Sequence, residues 1–317
     1  MEYKEIMGRR VSAMSLGTVQ LGMNYGIANQ EGKPAREKCF AILDAAFKGG
    51  VNALDTARSY GDSEEVLGAY FARSPGKAER AFITPKLASG LPPGTAAAEV
   101  EGNLLRSAET SLEKLGLPRV NCFLLHNAED MIHGSATAQI LLRLVKENYT
   151  DMAGVSVYHP EEIGSLLKDD VYQAVQIPLN VFDQRFIRSG ALEQLRRRNI
   201  HVFVRSVFFQ GLLFLDPEGV RDPDLLRYAV PHLRTLRRLS EEGGMSIGQF
   251  AVSFLRDMPG ISSLVLGADN PEQVVRNTAF FEAPPLSGAL RRKAEDAFKD
   301  LNYPGIMAVL SRPKQGA

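Results

Sequence analysis

The sequence predicts a (β/α)8 barrel, and three observations carry that expectation. Eight short runs rich in Val, Ile and Leu recur along the 317 residues, each followed by a loop and a helix-like segment. The runs are nearly continuous in apolar character, as parallel strands covered on both faces are. No G-x-G-x-x-G occurs, so the alternative, a doubly wound dinucleotide-binding sheet, lacks its phosphate loop.

The elements follow in order. In YKEIMGRRVSAM, apolar residues flank Gly8-Arg9-Arg10, which suits a short N-terminal β-hairpin plugging the bottom of the barrel. The strand runs fall at 14–16, 51–54, 81–84, 120–125, 153–157, 174–177, 202–207 and 263–266. Apolar residues recurring every three to four positions mark helices over 34–48, 63–72, 98–115, 136–147, 189–198, 246–257 and 271–280. In one of these Ile140, Leu141, Leu144 and Val145 share a face. Residues 286–302 read as an extra C-terminal helix, followed by a polar tail to Ala317. Two long segments, 18–33 and 208–238, read as loops, and long loops in a compact domain are usually functional or mobile. Nothing divides residues 1–317, so a single domain is expected.

Composition excludes several function classes. Lys and Arg number 37 and Asp and Glu 37, so the formal charge is zero. A neutral chain without basic clusters has no footprint for nucleic acid or an anionic membrane. Arg196, Arg197 and Arg198 form one basic run, but at the end of a predicted helix, where cations are ordinary. Cys39 and Cys122 stand far apart, outside any C-x-x-C pair, and read as buried thiols. MEYKEIMGRR has no apolar signal core, and no stretch approaches the roughly 18 apolar residues of a membrane helix. A cytoplasmic protein is expected.

In a barrel, chemistry sits at the C-terminal ends of the strands. The second predicted strand ends at Asp55, with Tyr60 on the loop beyond it in ALDTARSYG (53–61). The third ends in Thr84 and Pro85; proline has no N–H for a ladder, so the strand should stop there and leave Lys86 at its mouth. The fourth ends at His126. Each has a structural reading: a turn-capping Asp, a solvated Lys, a hydrogen-bonded His. Together they form a coherent set. A carbonyl that accepts hydride builds alkoxide character and needs a proton. A phenol with a pKa of about 10 is a reluctant donor or base near neutrality. A nearby ammonium lowers that pKa, a carboxylate holds the ammonium, and an imidazole can orient the oxygen.

These residues and their surroundings resemble the aldo/keto reductase superfamily over nearly the whole chain. The motifs are LDTARSYG (54–61), TPKL (84–87), FLLH (123–126), GVSVY (154–158), QIPLN (176–180), SVFFQGLL (206–213) and LGADNPEQVVRN (266–277). The resemblance implies a catalytic set of Asp55, Tyr60, Lys86 and His126, with Tyr60 the proton donor, Lys86 its partner, Asp55 the partner of Lys86 and His126 the carbonyl-orienting residue. It implies an NADPH cofactor, with NADH the alternative, lying across the barrel mouth and giving hydride to an aldehyde or ketone. Ser156 and Gln176 match residues that hold the nicotinamide carboxamide; Val157 replaces the Asn that often follows the Ser. Gly17 and Thr18 match the turn beside the nicotinamide ribose. Arg205 stands where many members place an aromatic ring against the nicotinamide. Ser206, Gly211 and Leu212 match the phosphate-binding loop, and Gly267, Gln273 and Asn277 the adenosine end. Near that end GADNPEQ (267–273) offers no cation for a 2′-phosphate, although Arg276 follows. A small-molecule carbonyl is the implied partner, and the family's habit suits a monomer or a weak homo-oligomer.

Other signatures fail. Neither H-E-x-x-H nor G-x-S-x-G occurs. Ser111 to Lys114 fits S-x-x-K but lies in a helix pattern without companion motifs. His133, His159, His201 and His232 form no ligand spacing, so no metal is expected, and Asp216, Asp222 and Asp224 read as turn formers. Two competing functions stay open: a nicotinamide-binding redox sensor, and a cofactor-free lyase or isomerase using Lys86. Tyr25, Phe208, Phe209 and Phe214 either wall a substrate pocket or belong to local core.

Overall fold

Residues 27, 28, 30, 31, 89 and 313–317 apart, every residue is described in a computed structural model of the chain. Parts of the 18–33 segment and the last five residues of the polar tail therefore lie outside the described residues.

Tyr3–Ile6 (β1) and Arg9–Ser12 (β2) pair antiparallel. Met7 and Gly8 between them both have positive φ, 50° and 73°, as a two-residue type I′ turn requires. Ile6 and Val11 of this hairpin are buried with Ala53, Phe82, Cys122 and Phe203, side chains of the barrel interior, so the hairpin does plug the barrel. The barrel strands are Met14–Gly17 (β3), Ala53–Asp55 (β4), Phe82–Thr84 (β5), Lys86–Leu87 (β6), Val120–Leu125 (β7), Thr150–Ser156 (β8), Tyr172–Pro178 (β9), His201–Arg205 (β10) and Ile261–Gly267 (β11). They hydrogen-bond in the order β5-β4-β3-β11-β10-β9-β8-β7-β6, with parallel pairing throughout.

The two ends of that list are one stretch of chain. β5 pairs with β4, β6 pairs with β7, and only Pro85 separates them. The nine segments are therefore eight strands closed on themselves, one of them interrupted. This corrects the expectation that pairing stops at Pro85. The proline lacks an N–H, but its carbonyl accepts from Leu124 N at 3.1 Å, and the strand passes its partnership from β4 to β7 there.

Helices lie where the periodicity placed them: Arg36–Lys48, Ser63–Arg73, Ala97–Leu115, Ser135–Lys146, Ala191–Arg197, Ile247–Arg256 and Pro271–Phe280. The last two have clear start signals. Ser246 and Gln249 form a reciprocal capping box, and Asn270 accepts from Gln273 N ahead of Pro271. Segment 208–238 is not the expected long loop. Asp222 caps a helix over Pro223–Tyr228, and Val230–Glu242 follows, burying Val230, Leu233, Leu236 and Leu239 at helical spacing. The expected C-terminal helix over 286–302 is present as Gly288–Ala297, and the stretch read as a polar tail opens with a further helix, Tyr303–Leu310, capped by Asn302.

Strand packing depends on one glycine. A Cβ on Gly154 would stand 2.1 Å from the Ala174 carbonyl oxygen and 2.8 Å from Leu124 Cδ2. Gly154→Ala should lose about 1–3 kcal/mol of stability through overpacking. Gly164→Ala, with nothing within 4 Å of the added carbon, should change it by less than about 0.5 kcal/mol. Urea unfolding of the two variants distinguishes these outcomes.

Candidate active site

Side chains alternate along a strand, so every second residue faces the barrel interior. Ala53, Phe82, Cys122, Met152, Ala174 and Phe203 form an inward layer. Two residues onward from Ala53 stands Asp55, from Ala174 Gln176 and from Phe203 Arg205; four onward from Phe82 stands Lys86, from Cys122 His126 and from Met152 Ser156. These six line one cleft at the C-terminal mouth. The same period that builds the core therefore lifts the chemistry to its top.

The loop carrying Tyr60 is tied down at several points. Thr56 N donates to Thr84 O at 3.1 Å, Arg58 N to Lys86 O at 3.2 Å and Tyr60 N to Ala57 O at 3.0 Å. Thr18 holds the adjacent strand end, since its N and Oγ1 both donate to Asp55 O, at 2.9 and 2.8 Å. Gly22 admits the loop: a Cβ there would lie 1.8 Å from Tyr60 O.

Lys86 is 1% exposed, and its ammonium donates to both Asp55 oxygens, at 2.7 and 2.6 Å, and to Tyr60 Oη at 3.2 Å. Gln176 Nε2 also donates to Asp55 Oδ2, at 2.7 Å. Burial works against the Lys86 charge, but Asp55, Tyr60 and the hydrogen bonds outweigh it, so its pKa is held above the usual lysine value. Burial likewise raises the Tyr60 pKa, opposed by the Lys86 charge. The expected lowering is thus present as one influence, and burial exceeds it. Tyr60 accordingly rests as a neutral phenol hydrogen-bonded to an ammonium.

His126 meets the Tyr60 ring edge-on, with centroids 5.8 Å apart, and its Nδ1 lies 3.2 Å from Ser59 Oγ. Burial, then the Lys86 charge, pushes its pKa down to about 4. The imidazole is therefore neutral near pH 7 and can donate or accept one hydrogen bond without adding charge.

The cleft encloses about 720 Å³. Gly17, Ser206, Gly211, Gly267, Gln273 and Asn277 of the predicted cofactor set also line it. Thr18 and Leu212 do not: both are fully buried beneath it, Thr18 in the contacts described above. Tyr25, Phe208 and Phe214 belong to the wall, whereas Phe209 is buried and stacks on Tyr303 with centroids 5.7 Å apart. Sequence reasoning did not assign Tyr158, Gln20, Ser246 or Phe280, which also line the cleft. Tyr158 ends the GVSVY motif just past β8, which was the available signal. Gln20, Ser246 and Phe280 stand in or beside helices and carried none.

Among the described residues, two buried acceptors in the cleft, Gln176 Oε1 and Gln20 Oε1, have no hydrogen-bond partner. Beyond β10, Ser206, Phe209, Gln210 and Gly211 all have positive φ, at 61°, 49°, 57° and 92°. Such left-handed turns gather backbone N–H groups into anion-binding concavities. Among the described residues no group of three or more His, Cys, Asp or Glu could hold a metal ion. No helix among them is long and apolar enough to cross a membrane.

Comparison with known proteins agrees with this geometry. The model of the aldo/keto reductase family matches residues 13–289. L-glyceraldehyde 3-phosphate reductase of Escherichia coli (strain K12) is 27% identical over 300 residues, covering 85% of this chain and 84% of that protein. The uncharacterized oxidoreductase YqkF of Bacillus subtilis (strain 168) is 23% identical over 303 residues, covering 92% of each. Among solved structures, the holo form of aldo-keto reductase AKR11C1 from Bacillus halodurans superposes with a TM-score of 0.76 at 20% identity, covering 94% of this chain and 96% of that one.

Two predictions follow from the charges. Lys86→Met leaves the Asp55 carboxylate buried without its cation and should cost about 3–5 kcal/mol in urea unfolding. The double variant Asp55→Asn with Lys86→Met should recover more than half of that; equal losses would mean that the pair is not the cause. For His126, the folded pKa of about 4 lies below the usual histidine value of 6.5, so the folded chain binds fewer protons in between. Its contribution to stability is present above that window and is lost as pH falls through it. The His126 ring-proton NMR signal should stay at its neutral position down to about pH 5; a midpoint near 6.5 would contradict the burial argument.

Proposed function

This chain belongs to the aldo/keto reductase family, and from that premise we propose that it is an NADPH-dependent carbonyl reductase with Tyr60 as proton donor. One observation carries the reading: the buried ammonium of Lys86 is shared between the Asp55 carboxylate and the Tyr60 hydroxyl.

The residues present fit a nicotinamide nucleotide. Gln176 Oε1, buried and unpartnered, suits a carboxamide N–H, and Ser156 stands beside it on β8. The left-handed turns after β10, with Ser206 and Gly211, suit the phosphates. Gln273 and Asn277 suit the adenosine end, where Asn277 Nδ2 already holds Gly267 O at 3.1 Å. When bound, a reduced nicotinamide supplies the hydride. The chain supplies the proton: Tyr60 Oη gives it to the carbonyl oxygen, and Lys86, 3.2 Å away, stabilises the phenolate left behind. Neutral His126 donates a hydrogen bond that holds the same oxygen. Alcohol oxidation runs these steps in reverse.

NADH is the second reading for the cofactor, and Asp269 favours it. This carboxylate, which accepts from Asn29 and Gln273, lines the cleft with Arg276, and its charge would oppose a 2′-phosphate placed beside it. The lyase reading fares worse than before. A Schiff-base lysine needs a neutral amine, whereas Lys86 is capped by both Asp55 oxygens and its pKa is raised. A redox sensor has no need of the Tyr60 proton. For the substrate, the polar groups around Tyr60 and the name of the Escherichia coli relative favour a small polar carbonyl. The buried free thiols Cys39 and Cys122 suit a cytoplasmic enzyme, acting as a monomer or a weak homo-oligomer.

Tyr60→Phe removes the proton and leaves the cleft wall. Turnover on an aldehyde panel should fall by about 10²–10⁴-fold, with nucleotide affinity changed less than about threefold. Wild-type nucleotide binding without any turnover would favour the sensor.

A further inference from the structure

The top of β10 carries a cation that the proton-transfer chain does not use. Arg205 stands one inward position above Phe203, just as Gln176 stands above Ala174 on the neighbouring β9. The β9–β10 register aligns Gln176 with Phe203 and Arg205 with Pro178, so Arg205 stands one inward position nearer the mouth than Gln176 on the adjoining strand, and both line the cleft. The Arg205 guanidinium lies over the Tyr158 ring, 4.2 Å from its centroid. Nη2 donates to Val157 O at 3.1 Å and Nη1 to Ser206 Oγ at 3.4 Å. These partners are neutral, and among the described residues Arg205 makes no ion pair. Lys86 and Asp55, 2.6 Å apart, offset one another, so Arg205 leaves the catalytic end with one uncompensated positive charge.

Resting on the nicotinamide reading above, we propose that Arg205 makes this site selective for the reduced cofactor, favouring the neutral reduced ring over the cationic oxidised one. A carboxamide that satisfies Gln176 Oε1 sets its ring in the cleft that Arg205 lines one inward position farther along the adjoining strand. A guanidinium plane can lie against either form of the ring, so contact does not distinguish them. Charge does. The oxidised ring carries a positive charge, and like charges repel more strongly against a protein wall than in bulk water. The phosphates are common to both forms, so their attraction to Arg205 cancels in the comparison.

The overall transfer balances. Two electrons and a proton pass as hydride from the reduced ring to the carbonyl carbon. Tyr60 gives a proton to the oxygen, and an alcohol and the oxidised nucleotide result. Arg205 leaves the overall equilibrium unchanged. Its effect is on loading: where both forms are present the site fills with the reduced one and releases the oxidised product readily. At equal concentrations of the two forms, the enzyme is therefore loaded for carbonyl reduction.

Equilibrium titration tests this without turnover. NADPH, NADP⁺, NADH and NAD⁺ are each titrated calorimetrically into the wild type, Arg205→Gln, Arg205→Lys and Arg205→Tyr. In the wild type the reduced form of the preferred nucleotide should bind at least about tenfold more tightly than its oxidised form. Arg205→Gln and Arg205→Tyr should each lower that ratio by about tenfold, whereas Arg205→Lys keeps most of it. Equal affinities in the wild type, or a ratio unchanged in the uncharged variants, would overturn the proposal while leaving the reductase reading intact. Failure of all four nucleotides to bind the wild type would remove the nicotinamide reading and this proposal with it.

Discussion

A buried ammonium is the constraint on which the rest of this site depends. Lys86 is 1% exposed, in a position where an unpaired charge would be strongly unfavourable. Asp55 makes it tenable by meeting it with both oxygens, and Gln176 steadies Asp55 from β9. The ammonium also donates to Tyr60 Oη at 3.2 Å and, at 3.4 Å, to the Thr56 carbonyl at the start of the Tyr60 loop. Three strands and one loop must therefore be held in fixed register. Thr18 binds the Asp55 carbonyl, and the loop amides bind the carbonyls of Thr84 and Lys86. Thr18, Thr56 and Arg58, which donate these bonds, do not line the cleft, so their part is positioning.

The barrel supplies that register through its alternation of side chains. An apolar layer of Ala53, Phe82, Cys122, Met152, Ala174 and Phe203 is closed from below by Ile6 and Val11 of the hairpin. Polar side chains occupy the inward positions above it. Core and site are consecutive layers of one packing scheme, and their separation by polarity is what keeps water to one end. The apolar layer below and the burial of Lys86 give Lys86 and Tyr60 more influence on one another than they would have on a surface.

Much of this was legible in the sequence, because the informative residues are local to strands. Asp55, Lys86 and His126 could be read as strand-end residues directly, and the apolar runs gave the eight units. What could not be read depended on contacts across the chain. Pro85 looked like a stop, yet its carbonyl serves the neighbouring strand, which no local pattern records. The helix Val230–Glu242 had its spacing in view, but the aspartates and glycine ahead of it drew the reading towards a loop. Thr18 and Leu212 match cofactor positions by motif and yet lie under the floor of the cleft. The net upward shift at Tyr60 also required the fold, since a motif names the nearby ammonium but not the depth of burial.

The central claim is direct hydride transfer from a nicotinamide to a carbonyl carbon, with the proton coming from Tyr60. The most direct test is isotopic. The enzyme is incubated with NADPH deuterated at the transferring C4 position and an aldehyde in ordinary water, and the alcohol is analysed by mass spectrometry and NMR. One deuterium on the carbinol carbon for each cofactor oxidised is the predicted result. Unlabelled carbinol formed as the cofactor is consumed would contradict direct transfer, and with it the role assigned to the Asp55–Lys86–Tyr60 chain.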